Sequence, residues 1–376
     1  WAVQNRPKFD PATYIGKGKI ETVISQALEL ECSLIIINDE ITPTQIKNIQ
    51  KLAGEDIKVL DRTGLILDIF NKHARTREAK TQVELARLQY LLPRLTRMWT
   101  HLERQMGGVG TRGGPGETQI EIDRRLIQNQ ISRLKKDLKT IEKQRETQSH
   151  NRKDEFRAAL VGYTNAGKST LMNALTGADV YIQDQLFATL DTTVRKVELD
   201  SGDHFLLSDT VGFIRKLPHD LVASFRSTLK EAGDSDLLIK VLDASSHQLD
   251  VHMATIDNVL KQLDLDNIPS LVVLNKIDLV VDPAVVNGLR QQFPDAILIS
   301  AARKLKLDQF TDSVLNFMKR DFENTTLSIP YEKGALLKDV YELMTVLDRK
   351  DTDASSEIQV EGRTRDIEAI RSRLND

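Results

Sequence analysis

Apolar positions in the first part of the chain follow a helical period and a strand-like period in turn. The pattern predicts, in chain order, a helix at 20–30, a strand at 33–38, a helix at 42–52 and strands at 57–60 and 65–70. Thr42 or Thr44 can cap the second helix, which ends near Gly54. Alternating strands and helices are typical of a parallel sheet. Residues 1–78 are therefore predicted to form a small N-terminal α/β domain.

The next region, residues 79–150, carries a heptad spacing on both sides of a glycine-rich break. The apolar positions are Leu85, Leu88, Leu92, Leu95, Trp99, Leu102 and Met106 before the break, and Ile120, Ile127, Ile131, Leu134, Leu138 and Ile141 after it. Two successive seams of this kind predict an antiparallel two-helix coiled arm, and Pro93 predicts a kink in its first helix. The break at 107–116 has six glycines in ten residues and forms the predicted tip of the arm. Four arginines flank the tip: Arg104, Arg112, Arg124 and Arg125.

From residue 156 to 321 the pattern is that of a doubly wound, mostly parallel sheet. It predicts strands at 156–161, 237–242, 270–274 and 296–299, a hairpin at 194–199 and 204–208, and helices near 219–233, 248–263, 283–292 and 306–320. Residues 323–376 are predicted to form a small C-terminal domain. It is predicted to have a helix over 331–347 and a strand at 358–360, which is too little for an independent core.

Composition narrows the class of protein. A chain of 376 residues is expected to hold two to four domains. The single cysteine, Cys32, excludes an internal disulfide and suits a reducing cytoplasm. Neither a signal peptide nor an apolar run near 18 residues is present, so we expect no membrane span and a cytoplasmic location.

Charge is distributed unevenly. Residues 71–157 hold 20 Lys and Arg against 11 Asp and Glu, a local charge of +9, although the whole chain carries −3. Such asymmetry favours a polyanionic partner for the arm. A solvated helical surface is the alternative interpretation, and a steep fall of binding with salt would separate the two.

A phosphate-binding motif follows the strand at 156–161. The pattern G-x-x-x-x-G-K-S lies between that strand and an apparent helix, which is the context of a P-loop. Its backbone N–H groups are expected to hold phosphate oxygens. Lys168 would reach the β- and γ-phosphates as a catalytic residue, and Ser169 would bind Mg²⁺. The predicted residues are Gly162, Tyr163, Thr164, Asn165, Ala166, Gly167, Lys168 and Ser169.

Two further segments are placed to sense the γ-phosphate. One is the end of an apolar strand, with Asp209, Thr210, Val211 and Gly212. Asp209 would orient Mg²⁺ through water, and the Gly212 N–H would face the γ-phosphate. The other is the stretch of Phe187, Ala188, Thr189, Leu190 and Asp191. Thr189 is the hydroxyl predicted to bind Mg²⁺, with Thr192 and Thr193 as rivals.

Two strand ends predict a guanine site. Asn275, Lys276, Ile277 and Asp278 follow one strand, and Ser300, Ala301 and Ala302 follow the last. The Asp278 carboxylate can accept two hydrogen bonds from guanine, which adenine cannot donate in that geometry. The Lys276 stem can cover the base, Asn275 can brace the neighbouring loops, and a backbone N–H at 300–302 can meet guanine O6. The P-loop and these four further motifs, in this order, resemble the G domain of translation-factor-class GTPases, with GTP as the substrate.

Two residues bear on the rate of hydrolysis. Phe213 stands where many GTPases have a glutamine that orients the attacking water, so intrinsic hydrolysis is expected to be slow or to need other groups. Asn165 is a candidate ligand for a monovalent cation such as K⁺. A plain polar loop residue is an equally good interpretation of Asn165.

The chain resembles the HflX family of ribosome-associated GTPases. The resemblance rests on the segments 14–19, 61–63, 75–78, 107–125 with its G-P-G-E-T-Q core, 162–169, 187–191 and 209–214. It implies a P-loop GTPase domain with a mostly parallel doubly wound sheet, an N-terminal α/β domain and the coiled arm. Where the family usually has a proline after the switch aspartate, this chain has Thr192, which leaves Thr189 and Thr192 both open as metal ligands.

The resemblance also implies a partner and an activity. The N-terminal domain and arm would dock at the ribosome, mainly on the 50S subunit and its rRNA, and GTP would drive the splitting of stalled or stressed 70S ribosomes. A GTP-gated 50S-binding assembly or hibernation factor without splitting activity is the alternative. A GTPase that assists tRNA modification ranks last, because no second catalytic domain or cysteine nucleophile is evident.

Overall fold

The computed structural model describes residues 2–5, 8–95, 119–149, 155–177, 193–213, 232–320 and 322–375. The chain divides into two compact units, Trp1–Arg303 and Lys304–Asp376. Within the described residues, no helix is both long and apolar enough to cross a membrane.

The first unit begins with a two-stranded parallel sheet and its helices. In chain order these elements are α1 (Lys17–Glu29), β1 (Leu34–Ile37), α2 (Pro43–Ala53), β2 (Lys58–Asp61) and α3 (Arg62–His73). Strand β1 pairs with β2 in parallel, as predicted. Thr42, not Thr44, caps α2, because it forms a reciprocal capping box with Gln45. Isoleucines of α1 and α2, such as Ile20 and Ile49, are buried in one apolar cluster with apolar residues of the two strands.

The prediction of a strand at 65–70 is wrong, because these residues lie in α3. The Asp61 side chain accepts a hydrogen bond from the Gly64 N–H at 2.8 Å and so caps the helix. Ile66, Leu67 and Phe70 are buried, at the spacing of one helical face. A short, continuous apolar run does not distinguish a buried strand from a buried helix. In this chain the Asp61 cap is the local signal that favours the helix.

Two packed helices follow, α4 (Arg77–Leu91) and α5 (Gln119–Ser149). The heptad residues Leu85, Leu88, Ile127 and Ile131 are buried together in their contact, as the spacing predicted. Pro93 lies in a short 3-10 turn, Leu92–Arg94, directly after α4, and the residues beyond Leu95 that a kinked helix would include lie outside the described residues. The predicted tip at 107–116, the heptad residues Trp99, Leu102 and Met106, and the flanking Arg104 and Arg112 lie outside the described residues.

The rest of the first unit is built on a six-stranded sheet. Its strands are β3 (Arg157–Gly162), β4 (Thr193–Glu198), β5 (His204–Asp209), β6 (Leu237–Asp243), β7 (Ser270–Asn275) and β8 (Ile297–Leu298). The order is β4-β5-β3-β6-β7-β8, and all pairs are parallel except the β4–β5 hairpin. The helices are α6 (Lys168–Thr176), α7 (Leu249–Gln262) and α8 (Pro283–Gln292). Residues 214–231 lie outside the described residues, and they include most of the helix predicted near 219–233.

The second unit has a sheet of its own. Its elements are α9 (Leu307–Met318), β9 (Phe322–Pro330), α10 (Leu336–Leu343), β10 (Thr345–Asp351), β11 (Ser355–Arg363) and α11 (Thr364–Asn375). The antiparallel order is β10-β11-β9. The predictions of a helix through 331–347 and of no independent core are wrong. Alternate residues of β9 and β11 are buried with Ile367 and Ile370 of α11, and this core depends on pairing between segments that are far apart in the chain.

Candidate functional site

The P-loop joins the end of β3 to the start of α6. At Gly162, an added Cβ would lie 2.3 Å from the Val241 carbonyl oxygen on the neighbouring strand. At Gly167, which precedes α6, φ is +90° and an added Cβ would lie 2.3 Å from Asn275 Nδ2. Asn165 is exposed with φ +61°, a left-handed conformation that asparagine tolerates well. Gly162 is therefore required by the close approach of the Val241 backbone, and Gly167 by its conformation and by the close approach of the Asn275 side chain.

Lys168 is buried at the first turn of α6, with 6% of its surface exposed. Its Nζ donates to the carbonyl oxygens of Gly162 at 3.1 Å and Tyr163 at 3.0 Å. Burial lowers the pKa of Lys168 to about 8, and the nearby Asp209 carboxylate opposes that shift. An added Cβ at Gly212 would lie 3.0 Å from this Nζ. The lysine thus lies where the P-loop and the segment after β5 meet.

Ser169 and Asp209 form a possible magnesium site. The Ser169 Oγ donates to Asp209 Oδ2 at 2.6 Å, and Asp209 is 2% exposed at the end of β5. In the described part of the chain, no three His, Cys, Asp or Glu side chains are grouped to hold a metal. A hydroxyl and one carboxylate suit Mg²⁺, which usually completes its shell with phosphate oxygens and water. The residues present therefore fit Mg²⁺ bound together with a nucleotide.

The predicted switch residues are only partly described. The whole stretch of Phe187, Ala188, Thr189, Leu190 and Asp191, together with Thr192, lies outside the described residues. Thr193 begins β4 and stands opposite Asp209 in the β4–β5 register.

The segment 209–213 runs beside the P-loop. The Phe213 N–H donates to the Gly162 carbonyl at 2.9 Å, and the Thr164 N–H donates to the Phe213 carbonyl at 2.8 Å. The Thr210 Oγ1 donates to the Leu160 carbonyl at 2.6 Å. The Phe213 ring is 2% exposed and belongs to the apolar core of the sheet. It therefore cannot orient an attacking water, in agreement with the sequence prediction.

Asn275 connects the P-loop to the loop after β8. Its Nδ2 donates to the Ala166 carbonyl at 2.9 Å, and its Oδ1 accepts from the Ala301 N–H at 2.9 Å. Ser300 is fully buried, and its Oγ accepts from the Arg303 N–H at 3.1 Å, whereas Ala302 is exposed. These bonds bring together three of the predicted motifs.

Lys276, Ile277 and Asp278 continue from Asn275. Lys276 has φ +63°, the Ile277 N–H donates to the Ile299 carbonyl at 3.1 Å, and Asp278 lies in the short turn Ile277–Leu279. The structure therefore places the two predicted guanine segments side by side.

Two residues near the site, and the packing of a third, were missed by sequence reasoning. Asp243 forms an ion pair with Lys276 at 2.9 Å, and its position at the end of an apolar run was the only available signal. His252 stacks on Tyr163 with ring centroids 4.0 Å apart, and burial lowers the pKa of His252. Val211 lies within a predicted motif, but its packing against α3 and α4 has no signal in the sequence.

Three family models match the chain. Residues 1–71 match the GTP-binding GTPase N-terminal model, residues 73–152 the GTP-binding GTPase middle region, and residues 157–276 the 50S ribosome-binding GTPase model. Together they account for most of the described first unit.

Curated relatives cover most of the chain as well. GTPase HflX of Escherichia coli K12 is 41% identical over 354 residues, which are 93% of this chain and 82% of the relative. GTPase HflX of Caldanaerobacter subterraneus is 47% identical over 88% of this chain and 76% of the relative. A GTP-binding protein from the archaeon Sulfolobus solfataricus, solved with GDP, is 27% identical over 84% of this chain and 89% of that one, with a TM-score of 0.46.

Proposed function

The chain belongs to the HflX family of GTPases, and from that premise we propose that it binds the large ribosomal subunit and uses GTP to split stalled or stressed 70S ribosomes. It binds GTP and hydrolyses it to GDP and phosphate. The observation that carries the proposal is the burial of Val211, a residue of the phosphate-sensing segment, against the helices that lead to the arm.

Val211 lies in one apolar cluster with residues of α3 and α4. The members are Ile66, Leu67, Phe70, Ala74, Ala79, Val83, Ala86 and Val211. Val211 directly precedes Gly212, whose N–H is proposed to face the γ-phosphate. Closely packed interiors transmit small displacements because they contain few voids. A shift of the segment on GTP binding would therefore move α3 and α4.

Helix α4 passes such a movement on to α5. The contact consists of Leu85 and Leu88 on α4 and Ile127 and Ile131 on α5, with further leucines at its edge. The path from Val211 to the base of the arm thus runs through two separate apolar clusters, which helix α4 joins. This supports a GTP-dependent position of the arm.

The surface of α5 supports rRNA as the arm's partner. Lys136, Lys139 and Lys143 are exposed and recur at the i, i+3, i+7 spacing of one helical face. Cations in such a row can neutralise several phosphates of a nucleic acid backbone, which makes binding depend strongly on salt.

The proposed roles in hydrolysis follow from the geometry. Lys168, which now donates to two P-loop carbonyls, would turn its ammonium to the β- and γ-phosphate oxygens. Ser169 and Thr189 would hold Mg²⁺, with Asp209 orienting it through water, and the bound ion would neutralise charge on the phosphates. The Gly212 N–H would hold the γ-phosphate.

Phe213 bears on the rate of turnover. Its ring has no hydrogen-bonding group and is buried in the apolar core, so the Phe213 side chain cannot position the attacking water. Hydrolysis by the protein alone is therefore proposed to be slow and to be stimulated by the ribosome. Slow turnover also suits the alternative of a GTP-gated 50S-binding assembly or hibernation factor.

A sucrose gradient tests the proposal. Purified 70S ribosomes are mixed with the protein and a non-hydrolysable GTP analogue, and separate 30S and 50S peaks are expected. Intact 70S peaks at saturating protein would remove the splitting activity, and co-sedimentation with those peaks or with free 50S subunits would favour the alternative.

A pair of valine variants tests the coupling. Val211→Ala and Val197→Ala each remove two buried methyl groups, about 2 kcal/mol of apolar burial. Val197 is buried in β4, outside the cluster with α3 and α4. We expect Val211→Ala to lose most of the splitting at unchanged GDP affinity and Val197→Ala to retain it. Equal splitting by both variants would contradict the coupling.

A further inference from the structure

The carboxylate of Asp243 is aligned with the predicted guanine site by strand pairing. Asp243 ends β6 and stands opposite Asn275 in the parallel β6–β7 register. The Ala244 N–H donates to the Asn275 carbonyl at 2.8 Å, so the two strand ends are bound together. Lys276 follows Asn275 directly. The pairing of these two strand ends therefore places the Asp243 carboxylate beside Lys276.

Both oxygens of this carboxylate are engaged. Oδ1 accepts from the Ser245 N–H at 3.0 Å and from the Ser245 Oγ at 2.6 Å. Oδ2 lies 2.9 Å from the Lys276 Nζ, and both side chains are about three-quarters buried. An ion pair whose carboxylate is braced on its far side has a defined direction. The Lys276 ammonium group is thus held by a residue of the neighbouring strand β6.

The stem of Lys276 lies next to the P-loop. Its Cε would be 4.0 Å from a Cβ added at Gly167, and its backbone, directly after the end of β7, is in the left-handed region with φ +63°. With the backbone set at one end and Nζ held at the other, the methylene stem has little rotational freedom left. Holding a side chain in its binding conformation before the ligand arrives reduces the ordering cost of binding.

We propose that Asp243 is a positioning residue for guanine recognition, which sets the Lys276 stem against the face of the base that Asp278 reads at its edge. The inference rests on the assignment of Asn275–Asp278 as the guanine site. Asp243 does not touch the nucleotide in this account; it acts through Lys276.

The test measures GDP affinity of the full chain by titration calorimetry for Asp243→Asn and for a matched control, Asp257→Asn. Asp257 on α7 forms an ion pair with Lys240 of the same strand β6 at 2.8 Å, and its side chain is about half exposed, so the control removes a carboxylate–lysine pair of β6 away from the predicted guanine segment. We expect Asp243→Asn to weaken GDP binding about tenfold, or about 1.4 kcal/mol, and Asp257→Asn to stay within about twofold. Unchanged GDP affinity in Asp243→Asn would overturn the proposal.

Two more measurements separate positioning from general damage. Tripolyphosphate carries the phosphates without the base, and its affinity should not fall in Asp243→Asn; a loss equal to that of GDP would show a structural role instead. In a Lys276→Ala background, Asp243→Asn should cost nothing more. A full additional loss in that background would show that Asp243 acts independently of Lys276.

Two further variants test the proposal if Asp243→Asn does not fold or if the guanine site is assigned wrongly. Ser245→Ala retains the carboxylate but removes its hydroxyl brace, and it serves if Asp243→Asn does not fold. We expect a smaller loss of GDP affinity at an unchanged melting temperature, and no loss would count against the proposal. Asp278→Asn tests the guanine site itself: if it leaves GDP affinity intact, the site assignment fails, whatever Asp243 does.

Discussion

The substitution Gly167→Ala tests how closely the P-loop is joined to the guanine segments. At φ +90° an alanine costs about 1–2 kcal/mol of backbone strain. Its Cβ would also lie 2.3 Å from the Nδ2 of Asn275, a side chain that is 2% exposed. To relieve that overlap Asn275 must move, which breaks its bonds to the Ala166 carbonyl and the Ala301 N–H, both 2.9 Å long.

Gly177 at the other end of α6 supplies the matched control. Its φ is +64° and an added Cβ would meet nothing within 4 Å, so Gly177→Ala carries the backbone strain alone. The difference between the variants is the two buried hydrogen bonds, about 3 kcal/mol together. Nucleotide binding needs Asn275 in place. This difference should therefore lower GDP affinity by roughly 100-fold in Gly167→Ala relative to Gly177→Ala.

The assay is the GDP dissociation constant by titration calorimetry, with the thermal midpoint of each variant recorded alongside. We expect both variants to be folded at the assay temperature, with the affinity difference confined to Gly167→Ala. GDP affinities within about threefold of each other would refute the argument that Asn275 joins the two parts of the site.

Four further outcomes are expected. Bound phosphate favours the ammonium form of Lys168, whose pKa burial lowers to about 8; GDP affinity should therefore fall as pH rises from 8 to 9, and equal affinities in calorimetry at pH 7 and 9 would contradict this. Because that folded-state pKa is below the unfolded value of 10.5, the contribution of Lys168 to the unfolding free energy should rise with pH between about 8 and 10.5, as measured by denaturant titration at several pH values. Asp278→Asn should shift the preference from GTP to xanthosine triphosphate in competition binding, and unchanged GTP affinity would remove Asp278 from the base site. Replacing K⁺ by Na⁺ should slow phosphate release if Asn165 holds a monovalent cation, and equal rates would refute that role.

Sequence reasoning succeeded where one short segment carries the whole signal. The strand, glycine loop and helix of 162–169 are contiguous, and glycine is the residue that such a close approach requires. The heptads of α4 and α5 likewise identified their buried residues, because a helical stripe can be read directly from spacing. The run at 65–70 shows the limit, since its helix depends on a cap at Asp61 that the apolar pattern does not include.

The amino-acid sequence by itself determined the family of motifs, the phosphate loop and the alternation of strands and helices, because these depend on neighbours along the chain. The tertiary structure decided what those motifs touch. Burial of Val211 against α3 and α4, the ion pair of Asp243 with Lys276 and the sheet of the second unit all join residues far apart in sequence. Such contacts arise only when strands pair and helices pack, so no local pattern specifies them.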